Sequence, residues 1–313
     1  MQRGFAPVLY RPEIRNTAYP GGKDTVDNKK PLCVHIPIPF AQRPCLLNAK
    51  NSILDIDLGT RKAYVRAMQR ELVAAAQDMD DYEVAGVVFD TGAIQQFRAD
   101  EAAELVRVIR EHLTMAERPA VVLACDVDSL DEQKCECYRE MGVTMMDVRL
   151  FTSVMDEARA INRSCPHFTL KEPAEILHKY GIEHIGVQVA AGLRGQDENS
   201  LMVTLQDCVE HDAVHVTVIE RSGGQALARC ADAFLTEHGY VCYAPGMYAR
   251  AGWEMAFYPP GRTDVLALGI GAESRMEGVL CRNTRNMKLY IRAAHDYTMI
   301  TESVEEIEEM PNS

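Results

Sequence analysis

The chain has 313 residues, of which 47% are hydrophobic and 25% are charged, and its formal net charge is -13. This length and composition suit one large domain with a full hydrophobic core. The acidic balance argues against a nucleic-acid-binding protein, which needs a concentrated basic surface. No apolar run reaches the ~18 residues that a membrane helix needs.

The amino-terminal residues contain no apolar stretch typical of a secretory signal. The ten cysteines are scattered along the chain, with neither the spacing of a disulfide framework nor that of a zinc site. We therefore expect reduced, mostly structural thiols in a cytoplasmic protein that binds neither nucleic acid nor membrane.

Residues 1–30 are rich in Pro, Gly and polar residues and are predicted to form an extended arm. Short apolar runs then alternate with amphipathic stretches, as in residues 84–90 and 99–113. This alternation predicts a parallel sheet with crossover helices. About six such units fit into residues 31–240, too few for an eight-stranded barrel. The predicted fold is therefore α/β, a partial (β/α)6 TIM-like barrel.

Residues 241–313 are predicted to form a short C-terminal extension, because the strand–helix regularity weakens after Gly239. The extension ends in ESVEEIEEMPNS, which is typical of an acidic terminal helix or a frayed tail. We expect this charge run to be solvated surface.

Five short segments, in order, resemble motifs of the radical S-adenosylmethionine superfamily. They are VHIPIPFAQRPCLLN, VVFDTGAIQQF, GLRGQ, GYVCYAPGMYARAGWE and LALGIGAES. The first is similar to the HIPFCxxxCxxC cluster loop, the second takes the place of a GGGTP strand end, and the third is similar to GLPGQ. The match spans about residues 32 to 297 and is with the branch of oxygen-independent coproporphyrinogen III oxidase and the related haem chaperone. The resemblance implies the partial barrel of that superfamily.

The cluster loop departs from the family. Where the resemblance implies three cysteines that ligate a four-iron cluster, this sequence has Ala41, Cys45 and Asn48. Iron–sulfur clusters need several thiolate ligands. We therefore expect no conventional four-iron, four-sulfur cluster, although an unorthodox cluster of Cys45, Cys33 and a partner's thiols is an alternative.

The implied cofactor pocket is altered as well. Of the glycine-rich GGGTP segment only Gly92 remains, after Asp90 and Thr91. Two further pocket positions are assigned to Leu123, where the family has an acid, and Met145, where it has an arginine. In the third segment, Gln188 takes the place of an aspartate and Arg194 that of a proline.

The polar residues near predicted strand ends are the candidate ligand-binding residues, because ligands of parallel α/β folds bind at that rim. They are His35, Asp90, Gly92, Arg149 and Gln188. Histidine titrates near neutral pH, so His35 is a candidate acid or base, but strand-end packing is its simpler interpretation. Capping and loop hydrogen bonds are the alternative for the others.

Other candidate sites are weaker. His211 and His215 could bind a metal, but solvated or strand-start positions are the simpler interpretation. Gly223 and Gly224 precede a predicted helix and could bind an anion at its N-terminus. The sequence has no Ser-His-Asp, P-loop or zinc signature, so no metal site is assigned and no catalytic residue is identified.

Two hypotheses for function follow. The first is a degenerate relative: a binding or accessory protein for a tetrapyrrole such as haem, or for an active homologue with which it forms a complex. The second is an enzyme with cluster-free chemistry at the barrel mouth, such as group transfer from S-adenosylmethionine. A small-molecule ligand is expected in either case, and a homo-oligomer is an alternative to a hetero-complex.

Overall fold

The computed structural model describes residues 29–41, 53–54, 56–90, 97–127, 130, 132–163, 169–253 and 263–307. The strands are β1 (Lys30–Pro37), β2 (Phe40–Ala41), β3 (Ile53–Leu54), β4 (Tyr82–Asp90), β5 (Met115–Asp126), β6 (Met145–Phe151), β7 (Ile185–Ala191), β8 (His215–Glu220), β9 (Val241–Ala244), β10 (Met247–Ala249), β11 (Asp264–Ala267), β12 (Glu273–Met276), β13 (Val279–Asn283) and β14 (Thr301–Glu306). The helices are α1 (Leu58–Ala76), α2 (Ala99–His112), α3 (Glu132–Glu140), α4 (Met155–Ala160), α5 (Lys171–Lys179), α6 (Glu198–Glu210), α7 (Gln225–Glu237), α8 (Met287–Ala293) and α9 (Tyr297–Ile300).

Six consecutive parallel strands form the centre of one large sheet, in the order β1-β4-β5-β6-β7-β8. A helix or helix pair connects each of these strands to the next. The predicted α/β partial barrel with six units is therefore confirmed. The predicted arm lies almost wholly outside the described residues.

The C-terminal residues extend the same sheet at both ends. Strand β11 pairs parallel with β1 and continues through β12, β13 and β14, while β10 and β9 follow β8 at the other end. The described part of the sheet thus has 12 strands. The predicted boundary at residue 240 stays a prediction, since the extension and the barrel share this sheet.

Two apolar layers cover the faces of the sheet. The outer layer joins the sheet to its helices, and on α1 it includes Tyr64, Met68 and Leu72, which recur every four residues as the sequence predicts. The inner layer joins alternate residues of the central strands to side chains of β9, β10 and β11. The concave interior therefore has an apolar floor.

A buried carboxylate fastens the C-terminal segment to the outer layer. Glu71 of α1 accepts hydrogen bonds from the Gly269 amide (2.9 Å), the Asn283 side-chain amide (2.5 Å) and the Tyr290 hydroxyl. Burial raises the pKa of Glu71 to about 7, although all three donors favour the charged form. The LALGIG segment is thus held by a polar cluster outside the barrel.

The acidic end is a strand where the sequence predicted a helix or a frayed tail. Residues of β14 pair antiparallel with β13, and Arg282 on β13 contacts Glu305 across the pair and Glu273 on β12. Glutamates on an edge strand discourage pairing with another chain. Residues 308–313 lie outside the described range.

Candidate active site at the barrel mouth

The carboxyl ends of the parallel strands place four of the predicted residues near one edge of the sheet. His35 lies near the end of β1, Asp90 ends β4, and Arg149 and Gln188 lie in β6 and β7. Alternation along each strand puts these side chains on the concave face, above the apolar floor.

His35 and Asp90 form a hydrogen-bonded pair, with Nε2 and Oδ1 2.7 Å apart. Burial alone would lower the pKa of His35, but the Asp90 carboxylate outweighs it, with a smaller contribution from Glu273, and the pKa is raised. The two side chains keep about a fifth of their surface exposed, 20% and 18%. His35 therefore keeps its proton to a higher pH than an ordinary histidine does.

Arg149 belongs to a second charged group. Its Nη2 lies 3.0 Å from Asp126 Oδ1, and the same oxygen contacts Arg163. Arg163 also donates to the Arg149 carbonyl and stacks over the Phe151 ring, with its Cζ 4.7 Å from the centroid. Asp126 is thus held between two buried guanidinium groups, which satisfy its charge.

The Gln188 side chain is paired with Asp147, since its Nε2 donates to Asp147 Oδ2 at 2.5 Å. Burial raises the pKa of Asp147 to about 6, and the nearby Asp90 charge adds to the shift against the effects of Gln188 and Arg149. The Asp147 carboxylate is therefore the one in this group whose hydrogen-bond partner among the described residues is neutral.

Three of these residues, Asp126, Asp147 and Arg163, were missed by sequence reasoning. The signal for Asp147 was available, since it lies two residues before Arg149 on the same strand and so shares its face. Asp126 likewise ends β5. Arg163 follows a short helix and a residue with positive φ, Asn162, so no strand periodicity marks it.

Leu123 and Met145, which the sequence comparison matched to cofactor-pocket positions, pack in the apolar layers of the sheet. Leu123 is buried in the outer layer against the helices, so it does not line the mouth. Met145 faces inward but belongs to the apolar floor with Cys33, Val88 and Val122. Burial raises the pKa of the Cys33 thiol, and Asp90 adds to the shift.

The loop GLRGQ, residues 192–196, is held by its own glutamine. The Gln196 side-chain oxygen accepts from the Gly192 and Leu193 amides at 2.7 and 3.1 Å, and its Nε2 donates to the Ala190 carbonyl. A Cβ at Gly192 would meet Gly224 Cα at 2.7 Å. Close backbone packing therefore accounts for Gly224, and Arg194 is exposed.

His215 is fully buried at the start of β8, so it occupies the strand-start position and is not solvated. Its Nε2 lies 2.7 Å from the Tyr243 hydroxyl. Within the described residues no group of three His, Cys, Asp or Glu side chains could hold a metal ion. In the same residues, no helix is long and apolar enough to cross a membrane.

Gly92, Cys45 and Asn48 lie outside the described residues. Ala41 ends the short strand β2, whose partner is β3 through the pair Ala41 and Leu54. The structure thus brings together His35, Asp90, Arg149 and Gln188 at the mouth, and the positions of the cluster loop stay sequence predictions.

A scan against models of known protein families finds no match. The chain is 25% identical over 185 residues to the anaerobic coproporphyrinogen III oxidase 1 of Cereibacter sphaeroides, across 58% of this chain and 40% of that protein. It is 20% identical over 302 residues to the oxygen-independent coproporphyrinogen III oxidase of Escherichia coli, across 84% of this chain and 65% of that protein. The chain thus spans less than two thirds of the length of these relatives.

The solved structure of coproporphyrinogen III oxidase from Escherichia coli, described as a radical SAM enzyme, has a similar fold. It matches with a TM-score of 0.75 and 17% sequence identity, over 90% of this chain and 73% of that one. The resemblance inferred from the five motifs is confirmed. The chain is similar in sequence to oxygen-independent coproporphyrinogen III oxidases and has the fold of the Escherichia coli enzyme.

Proposed function

We propose that this protein is a ligand-binding relative of the coproporphyrinogen III oxidases that has given up cluster-dependent radical chemistry. A small molecule would bind at the barrel mouth, above His35, Asp90 and Gln188. Because the relatives are named as coproporphyrinogen III oxidases, a tetrapyrrole is the first ligand to test, and S-adenosylmethionine is the second.

The observation that supports the proposal is the small number of cysteines at the positions of the cluster ligands. The positions matched to cluster ligands are Ala41, Cys45 and Asn48, which provide one thiol. Cys33 is the cysteine nearest to Cys45 in sequence. It is fully buried in the apolar floor, and its raised pKa keeps the thiol protonated. These residues do not fit a conventional cluster, which needs several thiolates.

The mouth itself favours binding over radical chemistry. Its polar side chains are already oriented by one another, through His35 and Asp90, Asp126 and its two arginines, and Asp147 and Gln188. Such preorganised polar groups lower the entropic cost of holding a ligand. An accessory role, in which the chain presents a ligand to an active homologue or to a second copy of itself, would use the same mouth.

A second candidate function is an enzyme with cluster-free polar chemistry. The His35–Asp90 pair favours it, because a histidine oriented by a carboxylate at a strand end is a suitable general base. Group transfer from S-adenosylmethionine would need such a base near the acceptor.

The test is equilibrium titration of the purified protein with coproporphyrin, haem and S-adenosylmethionine, each with wild type, Gln188→Ala and Gln206→Ala. Gln206 lies on α6 and bonds only Glu210 in the described structure, so it is the matched control. We expect micromolar affinity for one ligand, weakened at least ~10-fold by Gln188→Ala, about 1.4 kcal/mol, and unchanged by Gln206→Ala.

Tetrapyrrole binding without turnover, or a stable complex with an active homologue, supports the binding protein. S-adenosylmethionine binding supports the enzyme if an added nucleophile then takes up the methyl group and the neutral thioether is released faster than in buffer alone. No binding of any of the three, in a folded protein, would contradict the proposed use of the mouth.

A further inference from the structure

A row of three residues crosses the barrel interior below the mouth. The sheet register pairs Asp147 of β6 with Gly186 of β7, and Gly186 with His215 of β8. Side chains in register on neighbouring strands point to the same face, so Asp147 and His215 both face inward on either side of Gly186. A Cβ on Gly186 would lie 2.9 Å from Asp147 Oδ1, so the carboxylate leans over the glycine.

Both polar side chains of this row have a buried atom without a partner. Asp147 Oδ1 and His215 Nδ1 make no hydrogen bond in the described structure, and the two residues are 7% and 0% exposed. A buried polar atom left unbonded costs ~1–3 kcal/mol. The two atoms lie in one row, on either side of a residue with no side chain, so a single group could bond both.

The remaining contacts of the two side chains fix their chemistry. Asp147 Oδ2 accepts from Gln188, which leaves Oδ1 as an acceptor. Burial lowers the pKa of His215 to about 4, so the ring is neutral at pH 7. We assign His215 the tautomer in which Nε2–H donates to the Tyr243 hydroxyl, which leaves the Nδ1 lone pair without a partner in the described structure. Two acceptors therefore flank Gly186.

The surrounding charges favour a cation over a neutral donor. Asp90 lies close enough to Asp147 to raise its pKa, so two carboxylates oppose each other in the interior. Both arginines of the mouth contact Asp126, and the Arg149 charge offsets only part of the Asp147 pKa shift. A positive group over Gly186 would relieve the repulsion and bond both unpaired acceptors.

We propose that Asp147 Oδ1 and His215 Nδ1 form a subsite for a primary ammonium group, carried by a ligand that enters from the mouth through the position of Gln188. The subsite rests on the proposed function only in that its ligand enters through the same barrel mouth. Asp147 binds the charge and His215 accepts a second N–H, while the Asp147 carboxylate and the flexible Met145 side chain over Gly186 adjust to admit the group.

The experiment is NMR of histidine-labelled protein at pH 7.5, which follows the His215 ring nitrogens during titration with methylammonium chloride at constant ionic strength. We expect a saturable change at Nδ1 at or below ~100 mM. Tetramethylammonium, which has the charge but no N–H donor, should leave Nδ1 unchanged.

Two variants complete the test. Asp147→Asn keeps the shape and removes the charge, and Gly186→Ala places a methyl group against the movable end of Asp147. We expect both to weaken methylammonium binding at least ~10-fold, about 1.4 kcal/mol, while the signals of His35 show that the fold is kept.

Three results would overturn the subsite: no saturable change in wild type, an equal response to tetramethylammonium, or undiminished binding in the two variants. Because methylammonium is the probe, failure of the tetrapyrrole and S-adenosylmethionine titrations would leave this result standing. Binding of a tetrapyrrole or S-adenosylmethionine without any binding of methylammonium would refute only the subsite.

Discussion

The Glu71 carboxylate is a buried residue whose protonation is linked to folding. Its raised pKa of about 7, against 4.5 for an ordinary glutamate, means that the folded state takes up a proton that the unfolded state has lost. The stabilisation is fully present below pH 4.5 and is lost as the pH rises through 7. The upper bound on this contribution is about 3.5 kcal/mol, from about 1.4 kcal/mol for each unit of the difference in pKa.

We therefore expect the free energy of unfolding of wild type to fall between pH 5 and pH 8 more steeply than that of Glu71→Gln. Urea denaturation at several pH values measures both slopes, and other raised carboxylates such as Asp147 act equally in the two proteins. Glu71→Ala should cost ~3 kcal/mol or more at all pH values, because it leaves the buried donors without an acceptor. Identical pH slopes in wild type and Glu71→Gln would contradict the assignment.

The contact between His35 and Asp90 predicts how the pKa of His35 responds to substitution of Asp90. Asp90→Asn removes the charge that outweighs burial, so the pKa of His35 should move from above its ordinary value of 6.5 to below it. NMR titration of the ring protons measures it. In wild type the pair stabilises the fold below pH 6.5, and this contribution is lost as the pH rises through the folded pKa of His35. A pKa unchanged by the substitution would refute the pairing.

The sequence indicated where side chains lie when strand ends were clear, and the binding role of those side chains stays a prediction. His35, Asp90, Arg149 and Gln188 were placed at the mouth because parallel strands end at one rim. For His215 the sequence left a solvated and a strand-start position open, because a lone histidine between a loop and a strand does not reveal which face it occupies. Its burial depends on the β7 partner, which is set by tertiary register.

At the scale of elements, the junction between the loop after β7 and the turn before α7 is the most constrained. Gly192 has φ +98, and an added Cβ would meet Gly224 Cα at 2.7 Å. Gly195 has a similar φ of +84 but nothing within 4 Å. The two glycines share backbone conformation and differ in surroundings.

We expect Gly195→Ala to cost ~1 kcal/mol from backbone strain alone and Gly192→Ala to cost at least ~2 kcal/mol, because backbone atoms must also move. Chemical denaturation of the two variants in parallel measures the difference. Equal losses would mean that the contact with Gly224 carries no weight.

The edge strand β14 marks the limit of prediction at this scale. Three of its six residues are glutamates, so charge content alone made it resemble a helix end or a tail. The strand forms because β13 offers an unpaired edge and Arg282 bridges acids on both neighbours. Such non-local pairing has no local sequence signal.

At the scale of the molecule, the barrel was predictable and its completion was not. The alternation of apolar runs and amphipathic helices in residues 31–240 led to six parallel strands. The sequence did not predict that β11 of the extension pairs with β1. A run as short as DVLA does not indicate its partner strand.

We propose that this protein combines the fold of coproporphyrinogen III oxidase with the absence of a conventional iron–sulfur cluster. The direct test is anaerobic reconstitution of the full chain and of Cys45→Ala with iron and sulfide, followed by desalting and quantification of both elements. We predict far less than one cluster per chain, with the same residual iron in both proteins. About four irons and four sulfides per chain, with thiolate-to-iron charge-transfer absorbance that Cys45→Ala abolishes, would contradict it.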